Sequence, residues 1–424
     1  MHICVLGAGV IGVTSAYRLL RDGHQVTLID ARPQAGSGTS LGNGAQLSYS
    51  YVAPLADPSV WTHWPHYLFS ADSPLSLRPQ LDPAQWRWLL QFLGACNATR
   101  VQRTTIDLLR LAFYSRDELS QLQQDLPLAF EHRIAGKLVM YTDPAGLDAA
   151  RKQVAFQARH GCQQEIIDTA RCLEIEPALG NSQRNWAGGV YTASEAAGDC
   201  ALFCQGLVEA MRAQMGFRFL SSTAIDSLHL QNQRIATVHT SAGAIAADSF
   251  VLALGADSAA LARQAGLRLP VYPLKGYSIT VPLDDAQTQA AAPQVSITDI
   301  SRKIVYARLG NRLRVAGRVE LVGLDRSIPP RAIDELRQGV DTLFPGSLGA
   351  GGHDNARLSP WAGFRPATPS GLPLIGATPV DNLFLNVGQG ALGWTLACGS
   401  AALLAAQIGG RKSAIDGTPF RYTK

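Results

Sequence analysis

The sequence predicts an α/β protein that opens on a nucleotide-binding βαβ unit, and three features of its first thirty-two residues carry that prediction. His2 to Leu6 is a short apolar run, the pattern of a buried strand. It enters Gly7-Ala8-Gly9-Val10-Ile11-Gly12, a G-x-G-x-x-G turn, followed by a helical pattern through Leu20 that Asp22-Gly23 closes. A second apolar run, Gln25 to Ile29, ends at Asp30, with Ala31 and Arg32 behind it. Each part has a physical job. Gly7 lets the chain turn sharply off the strand, Gly9 lets a pyrophosphate reach the backbone, and Gly12 lets the helix pack closely on the strand. The helix start at Val10 and Ile11 offers free N–H groups and partial positive charge to phosphates. Asp30 can accept both hydroxyls of an adenosine ribose and would repel a 2′-phosphate, which disfavours NADP. A lone glycine turn is a weak signal. Strand, helix, second strand and acid at the required spacing make it a dinucleotide site, without separating NAD from FAD.

At 424 residues two domains are the natural expectation, and 46% apolar with 17% charged residues describes an ordinary globular chain. The net charge of +4 is small and no dense Lys/Arg block occurs, so nucleic acid is not a suggested partner. Seven cysteines are scattered with no C-x-x-C and no ligand spacing, so no metal is expected; Cys200 and Cys204, one helical turn apart, read as packing. Free thiols point to a reducing, cytoplasmic compartment. The strand at residue 2 leaves no room for a cleaved signal peptide. Asn382 to Gly410 is uncharged and long enough to span a bilayer, but six glycines interrupt it. It reads as a buried helix beneath a cofactor, with peripheral contact at the inner face of the cell membrane left open.

The remaining elements follow in order. Arg32 to Gln46 is a small-residue loop suited to close ligand contact, with a short turn at Thr39 to Gly44. Tyr49 to Leu93 crowds Tyr49, Tyr51, Trp61, Trp64, Tyr67, Trp86 and Trp88 among prolines, which reads as irregular structure and short helices roofing something. Asn97 to Gln124 is a long amphipathic helix, Gly136 to Tyr141 a strand, and Asp143 to His160 a capped helix. Gly188 to Tyr191 is a strand and Gly198-Asp199 caps a helix to Met215. Strands are expected at Phe217–Leu220, Ala224–Leu230, Arg234–Thr240 and Ser249–Leu254, the last ending at Gly255-Ala256 before a helix. Leu274–Val281 is a strand. Ile304–Leu309 and Leu313–Gly317 make a hairpin, and Pro330–Leu343 is a helix.

Trp361 to Gly376 is the second informative stretch. Arg365 lies there among apolar residues and prolines, so its guanidinium must find a partner or stay wet. Its fork suits a substrate carboxylate; bonds to loop carbonyls are the structural alternative. Asn382–Val387 is the last strand, and Gly388-Gln-Gly-Ala-Leu-Gly-Trp-Thr395 turns into a helix through Ala406. That is a second glycine turn onto a helix N-terminus, able to face a negative charge such as that of a reduced flavin. Two such elements at opposite ends of the chain favour an extended cofactor, and FAD over NAD.

These stretches, with Asn43 to Tyr51 and Leu274 to Ile279, resemble the bacterial FAD-dependent D-amino-acid dehydrogenases of the glycine oxidase and sarcosine oxidase superfamily nearly end to end. Gln389 departs from the histidine usual in the family's Gly-His-Gly turn. The resemblance implies a Rossmann-like FAD domain (1–50, 196–270, 357–424) interleaved with a substrate domain (51–195, 271–356) built on a mixed sheet flanked by helices. It implies that Gly7, Gly9, Gly12, Asp30 and Arg32 hold the ADP half of non-covalent FAD. Ser40, Asn43, Gly44, Ala45, Gln46 and Leu47 would hold its middle and one ring face. The Ala224 backbone would meet adenine, and Gly255, Gly363, Gly390, Leu392, Gly393, Trp394 and Thr395 would line the rest. Arg365 would bind the substrate carboxylate with Tyr277 as second contact, and Tyr49 and Tyr51 would line the pocket. The implied reaction is oxidative deamination of a D-amino acid by hydride transfer from Cα to flavin N5, with electrons passed to a quinone or another respiratory acceptor. A secondary-amine oxidase or dehydrogenase, and an FAD-carrying subunit of a larger complex, are the alternatives.

Overall fold

The computed structural model describes residues 1–61, 75–350 and 355–423; Trp64 and Tyr67 fall outside the described residues. The βαβ unit forms as expected, with strand His2–Leu6, helix Val10–Arg21 and strand Gln25–Ile29. The two strands pair in parallel, Ile3 opposite Val26. Ser249–Leu252 pairs on the other side of the first strand, also in parallel. Leu383–Val387 and then antiparallel Leu374–Ala377 complete one edge, and Phe217–Leu220 closes the other. The strands are apolar on both faces because both faces are covered. Ile3 and Val5 meet the helices Val10–Arg21, Cys200–Arg212 and Gly393–Ile408. Cys4 and Leu6 meet the Ile225–Gln231 and Arg234–Thr240 hairpin and the Ser258–Gln264 helix.

Among the described residues a nine-stranded mixed sheet forms the second layer. Its order is Trp361–Ala367, Tyr272–Pro282, Arg312–Leu321, Ile304–Leu309, Ser296–Asp299, Lys137–Tyr141, Gly188–Thr192, Glu165–Ile167, with Leu75–Leu77 beside Arg312–Leu321. Helix Pro330–Leu343 buries Ile333, Leu336 and Val340 against Tyr277, Ile279 and Val315 of this sheet. A two-residue pairing, Gln46–Leu47 with Ala196–Ala197, links the glycine-rich loop to the entry of the Cys200–Arg212 helix.

Three expectations change here. Trp361–Ala367, expected as a loop of the nucleotide part, is an edge strand of the larger sheet, with Pro366 opposite Pro273. Proline is tolerated at an edge because a missing donor there costs no ladder bond. Described in the aromatic stretch is the 13-residue helix Pro83–Ala95, whose Trp88, Leu89 and Phe92 pack on Tyr272, Leu274 and Ala367. Glu165–Ile167 and Ser296–Asp299 are strands that the sequence reading missed, too short to show a period. The uncharged tail helix, the one described helix long and apolar enough to cross a membrane, is a core element. Trp394 to Ala406 are buried throughout, enclosed by Val10–Arg21 and the Ala98–Asp125 helix.

Candidate active site

The glycine turn has the geometry its sequence requires. Gly7 sits at φ +106°, where a Cβ would lie 2.6 Å from the Ala253 carbonyl oxygen. A Cβ on Gly12 would lie 1.7 Å from the Gly7 carbonyl oxygen, so helix and strand touch there. Gly9 is the helix N-cap, with nothing nearer to its Cβ direction than the Ser40 hydroxyl at 3.7 Å. That hydroxyl accepts from Val10 N–H at 3.0 Å, which seats Ser40 at the helix start beside Ile11. Asp30 is buried and accepts from Ala8 N–H and from Arg32 N–H, both at 2.8 Å. Each carboxylate oxygen takes one backbone donor and keeps capacity for a hydroxyl. Ala31 is exposed and the Arg32 side chain half-exposed at the rim.

The glycine-rich loop bridges the two sheets. Asn43 accepts from Ala45 N–H at 2.9 Å and so supports Ala45 at φ +59°. Gly44 lies against Val305 and Gly42 against the Trp361 indole. Ser278 donates its hydroxyl to the Gly42 carbonyl at 2.7 Å. Arg314, buried, donates to the carbonyls of Leu41 and Asn43 at 3.0 and 2.9 Å. The sequence reading missed Arg314 and Trp361; a charged residue inside an alternating strand signals burial only once its partners are known.

The last glycine turn closes the arrangement. Gly255 (φ +60°) and Gly390 (φ +56°) have open space where a Cβ would stand. The Trp361–Ala367 strand, with Gly363 and Arg365, packs beside both turns. Gly393 begins the buried helix and half-buried Leu392 precedes it. Thr395 accepts from Ser48 N–H at 3.2 Å, tying the helix start to the Gln46–Leu47 strand. Gln389 points inward and donates to Asn386 at 2.6 Å, and Asn386 donates to Ser15 at 3.0 Å. The residue that replaces the usual histidine is thus an interior link to the first helix.

Several expected contacts are placed elsewhere. The Trp394 indole donates to the Gly198 carbonyl and packs on Phe130 and Phe203, inside the core. The Gln46 amide is spent on the Ile297 and Tyr306 carbonyls, and Leu47 is buried in the core. The Ala224 N–H donates to the Ser241 hydroxyl and the Ala224 carbonyl accepts from Ser241 N–H, both at 3.0 Å, so the N–H is taken within the protein. Tyr49 is buried against the tail helix, and its N–H donates to Glu195. Tyr51 covers the Lys137 ammonium, 4.2 Å from its ring centroid. Lys137 donates to Gln46 and Ser48 at 2.9 Å each, and burial pushes it down to about 8.

Tyr277 is the main correction. Arg365 pairs with Leu274, and its guanidinium lies over Gly276, where a Cβ would meet it at 2.5 Å. Tyr277, one residue on, points to the opposite face of the sheet, as strand alternation requires. Its hydroxyl is buried and donates to Glu320 at 2.6 Å. Arg365 itself is half-buried and donates to the Arg318 carbonyl at 3.0 Å. Among the described residues no carboxylate pairs with it, and burial pushes it down to about 10, which leaves it charged at neutral pH.

The residues fit an extended dinucleotide cofactor. One carboxylate faces the first glycine turn, two glycines with open Cβ space flank the Arg365 strand, and a helix starts beside them. The DAO family, FAD dependent oxidoreductase, matches residues 2–407. The chain is 46% identical to D-amino acid dehydrogenase 2 of Ralstonia nicotianae, covering 100% of both chains. It is also 46% identical to D-amino acid dehydrogenase 2 of Pseudomonas aeruginosa, over 98% of this chain and 97% of that one. Glycine oxidase from Geobacillus kaustophilus shares the fold, with TM-score 0.76, 21% identity and coverage of 100% and 98%. From glycine turn to tail helix, the chain belongs to the DAO family of FAD-dependent oxidoreductases.

Proposed function

We propose that the chain oxidises D-amino acids to 2-keto acids and ammonia with non-covalent FAD, and passes the electrons to a membrane quinone. The observation that carries the substrate class is Arg365. It is a charged, half-buried guanidinium with, among the described residues, one carbonyl partner and no acid, beside both glycine turns. Such a fork binds a carboxylate through paired hydrogen bonds. The curated relatives that span the whole chain carry the name D-amino acid dehydrogenase, which sets the substrate's hand. Bound flavin supplies the hydride acceptor. The protein's own part is positioning: Arg365 fixes the carboxylate, the sheet fixes Arg365, and a held geometry replaces a search. No side chain is needed to remove the Cα proton.

Anaerobic mixing with D-alanine separates the two roles open to Arg365. Arg365→Ala should weaken amino-acid binding and slow flavin reduction by at least tenfold, with FAD content and spectrum nearly normal. A charge-assisted pair of this kind is worth about 1.5–3 kcal/mol. Arg365→Lys keeps the charge, loses the fork and should recover only part of the loss. Loss of FAD and stability together would assign Arg365 to holding the sheet instead. A panel of L-amino and N-methyl amino acids in the same assay tests the amine class.

The support for a membrane acceptor is a surface. Helix Pro83–Ala95 turns Trp88 and Phe92 inward and leaves Trp86 and Leu90 exposed, with exposed Leu81 and Trp61 at its ends. Residues 83–106 carry Arg87, Arg100 and Arg103 and no acidic side chain. Interfacial tryptophan with a basic rim suits the anionic face of a bilayer. On this reading the protein sits peripherally, on the cytoplasmic side of the cell membrane.

A further inference from the structure

Among the described residues the Arg365 guanidinium has one partner, the carbonyl of Arg318, and the Arg318 backbone is unusual. It stands at φ +60°, a conformation that a non-glycine residue rarely adopts. It lies where the register between Tyr272–Pro282 and Arg312–Leu321 slips, between the Tyr277–Gly317 and Lys275–Glu320 pairs. Such a bulge re-aims one residue, and it persists only where its surroundings over-determine it. Here they do. The Arg318 Nε donates to Glu320 at 2.7 Å and its guanidinium donates to Glu335 at 2.6 Å. Glu320 also accepts the Tyr277 hydroxyl at 2.6 Å. Glu335 sits on the Pro330–Leu343 helix, whose Leu336 and Val340 are buried in the sheet. Two carboxylates, Glu320 and Glu335, therefore hold Arg318 from the far face and Tyr277 holds Glu320, while the Arg318 carbonyl turns to the near face and meets Arg365.

We propose that Arg318, Glu320 and Tyr277 form a clamp that sets Arg365 for its carboxylate ligand. They are positioning residues, acting across the sheet without touching the substrate. The clamp rests on the reading of Arg365 as the carboxylate site. It also gives Tyr277 a place in substrate binding that direct contact does not. A guanidinium held by one carbonyl keeps its remaining N–H groups for a ligand. Displacing that carbonyl lets the guanidinium swing, and binding falls while the hydride acceptor is untouched.

The test uses the FAD-loaded protein, D-alanine and anaerobic flavin reduction, which yields an apparent Kd and a limiting rate separately. Arg318→Gly removes the clamped side chain and keeps a residue at ease with positive φ. Glu320→Gln weakens both of its bonds, and Tyr277→Phe removes one hydroxyl with the least risk to folding. Arg318→Gly and Glu320→Gln should each raise the Kd at least tenfold, and Tyr277→Phe about threefold, with the limiting rate less affected and FAD content normal. Adding Arg318→Gly to Arg365→Ala should change the Kd less than twofold, because both act through one group. If Arg365→Ala raises the Kd but the three clamp variants leave it within twofold of wild type, the clamp is wrong and the carboxylate site stands. Full additivity in the double variant also overturns the clamp. If Arg365→Ala itself leaves the Kd unchanged, the carboxylate reading fails first.

Discussion

Asp30 holds Ala8 and Arg32 N–H groups at 2.8 Å each, and the resemblance assigns it the ribose hydroxyls of FAD. Asp30→Ala therefore removes ribose contacts and slackens the glycine turn together. It should weaken FAD binding by about 2–4 kcal/mol; equilibrium dialysis that finds unchanged retention would reject the ribose assignment. Lys137 makes a different residue-scale case. Burial pushes it to about 8, whereas an unfolded lysine titrates at about 10.4. Between those values the unfolded chain keeps the proton and the folded chain sheds it, so this group makes stability rise with pH. The gain approaches about 3 kcal/mol at the top of that window. Lys137→Met abolishes it, so the variant's thermal midpoint should fall relative to wild type from pH 8 to 10. A constant difference across that range would show an ordinary lysine. Neither the Lys137 partners nor the face taken by Tyr277 follows from spacing, because both depend on which strand lies alongside.

At the scale of elements, the tail helix shows how close packing is written in small residues. A Cβ on Gly399 would lie 2.8 Å from Ser115 N and 2.9 Å from the Leu111 carbonyl oxygen, so the two helices meet backbone to backbone. Gly399→Ala gains helix propensity, worth about 1 kcal/mol, but forces the Ala98–Asp125 helix away. Overpacking of this kind costs about 1–3 kcal/mol. A lower thermal midpoint is expected, and a higher one would mean that the contact relaxes freely. The lack of charge from Asn382 to Gly410 marked this helix as buried, and the structure encloses it. The Trp361–Ala367 strand stayed hidden because Gly363 and Pro366 mask its alternation, and its pairing partner is almost ninety residues upstream.

For the whole molecule, the basic, tryptophan-bearing helix Pro83–Ala95 covers the strand that carries Arg365, since the Trp88 indole donates to the Ala367 carbonyl at 2.8 Å. Docking through that face would bring the substrate-binding layer close to the bilayer. Flotation with vesicles should recover the protein with anionic lipid and lose it at high salt, because the attraction is screened. Trp86→Ser with Leu90→Ser should abolish recovery while dye reduction by D-alanine persists. Equal recovery with neutral vesicles, or undiminished recovery of the double variant, would remove this face from the membrane.

The sequence by itself determined what is local. A strand, a glycine turn, a helix and a terminal acid within thirty-two residues bind a dinucleotide because their spacing alone brings backbone donors and a carboxylate together. That Arg365 needs a partner from outside its own stretch was equally legible, since no acid stands near it in the chain. Tertiary structure decided which side each residue serves. One step along a strand reverses a side chain, so the Leu274–Arg365 pairing assigns Arg365 to the near face and Tyr277 to the far one. The register slip at Arg318 then joins the two faces. Such assignments depend on contacts between residues tens to hundreds of positions apart, which only the folded sheet brings within hydrogen-bonding distance.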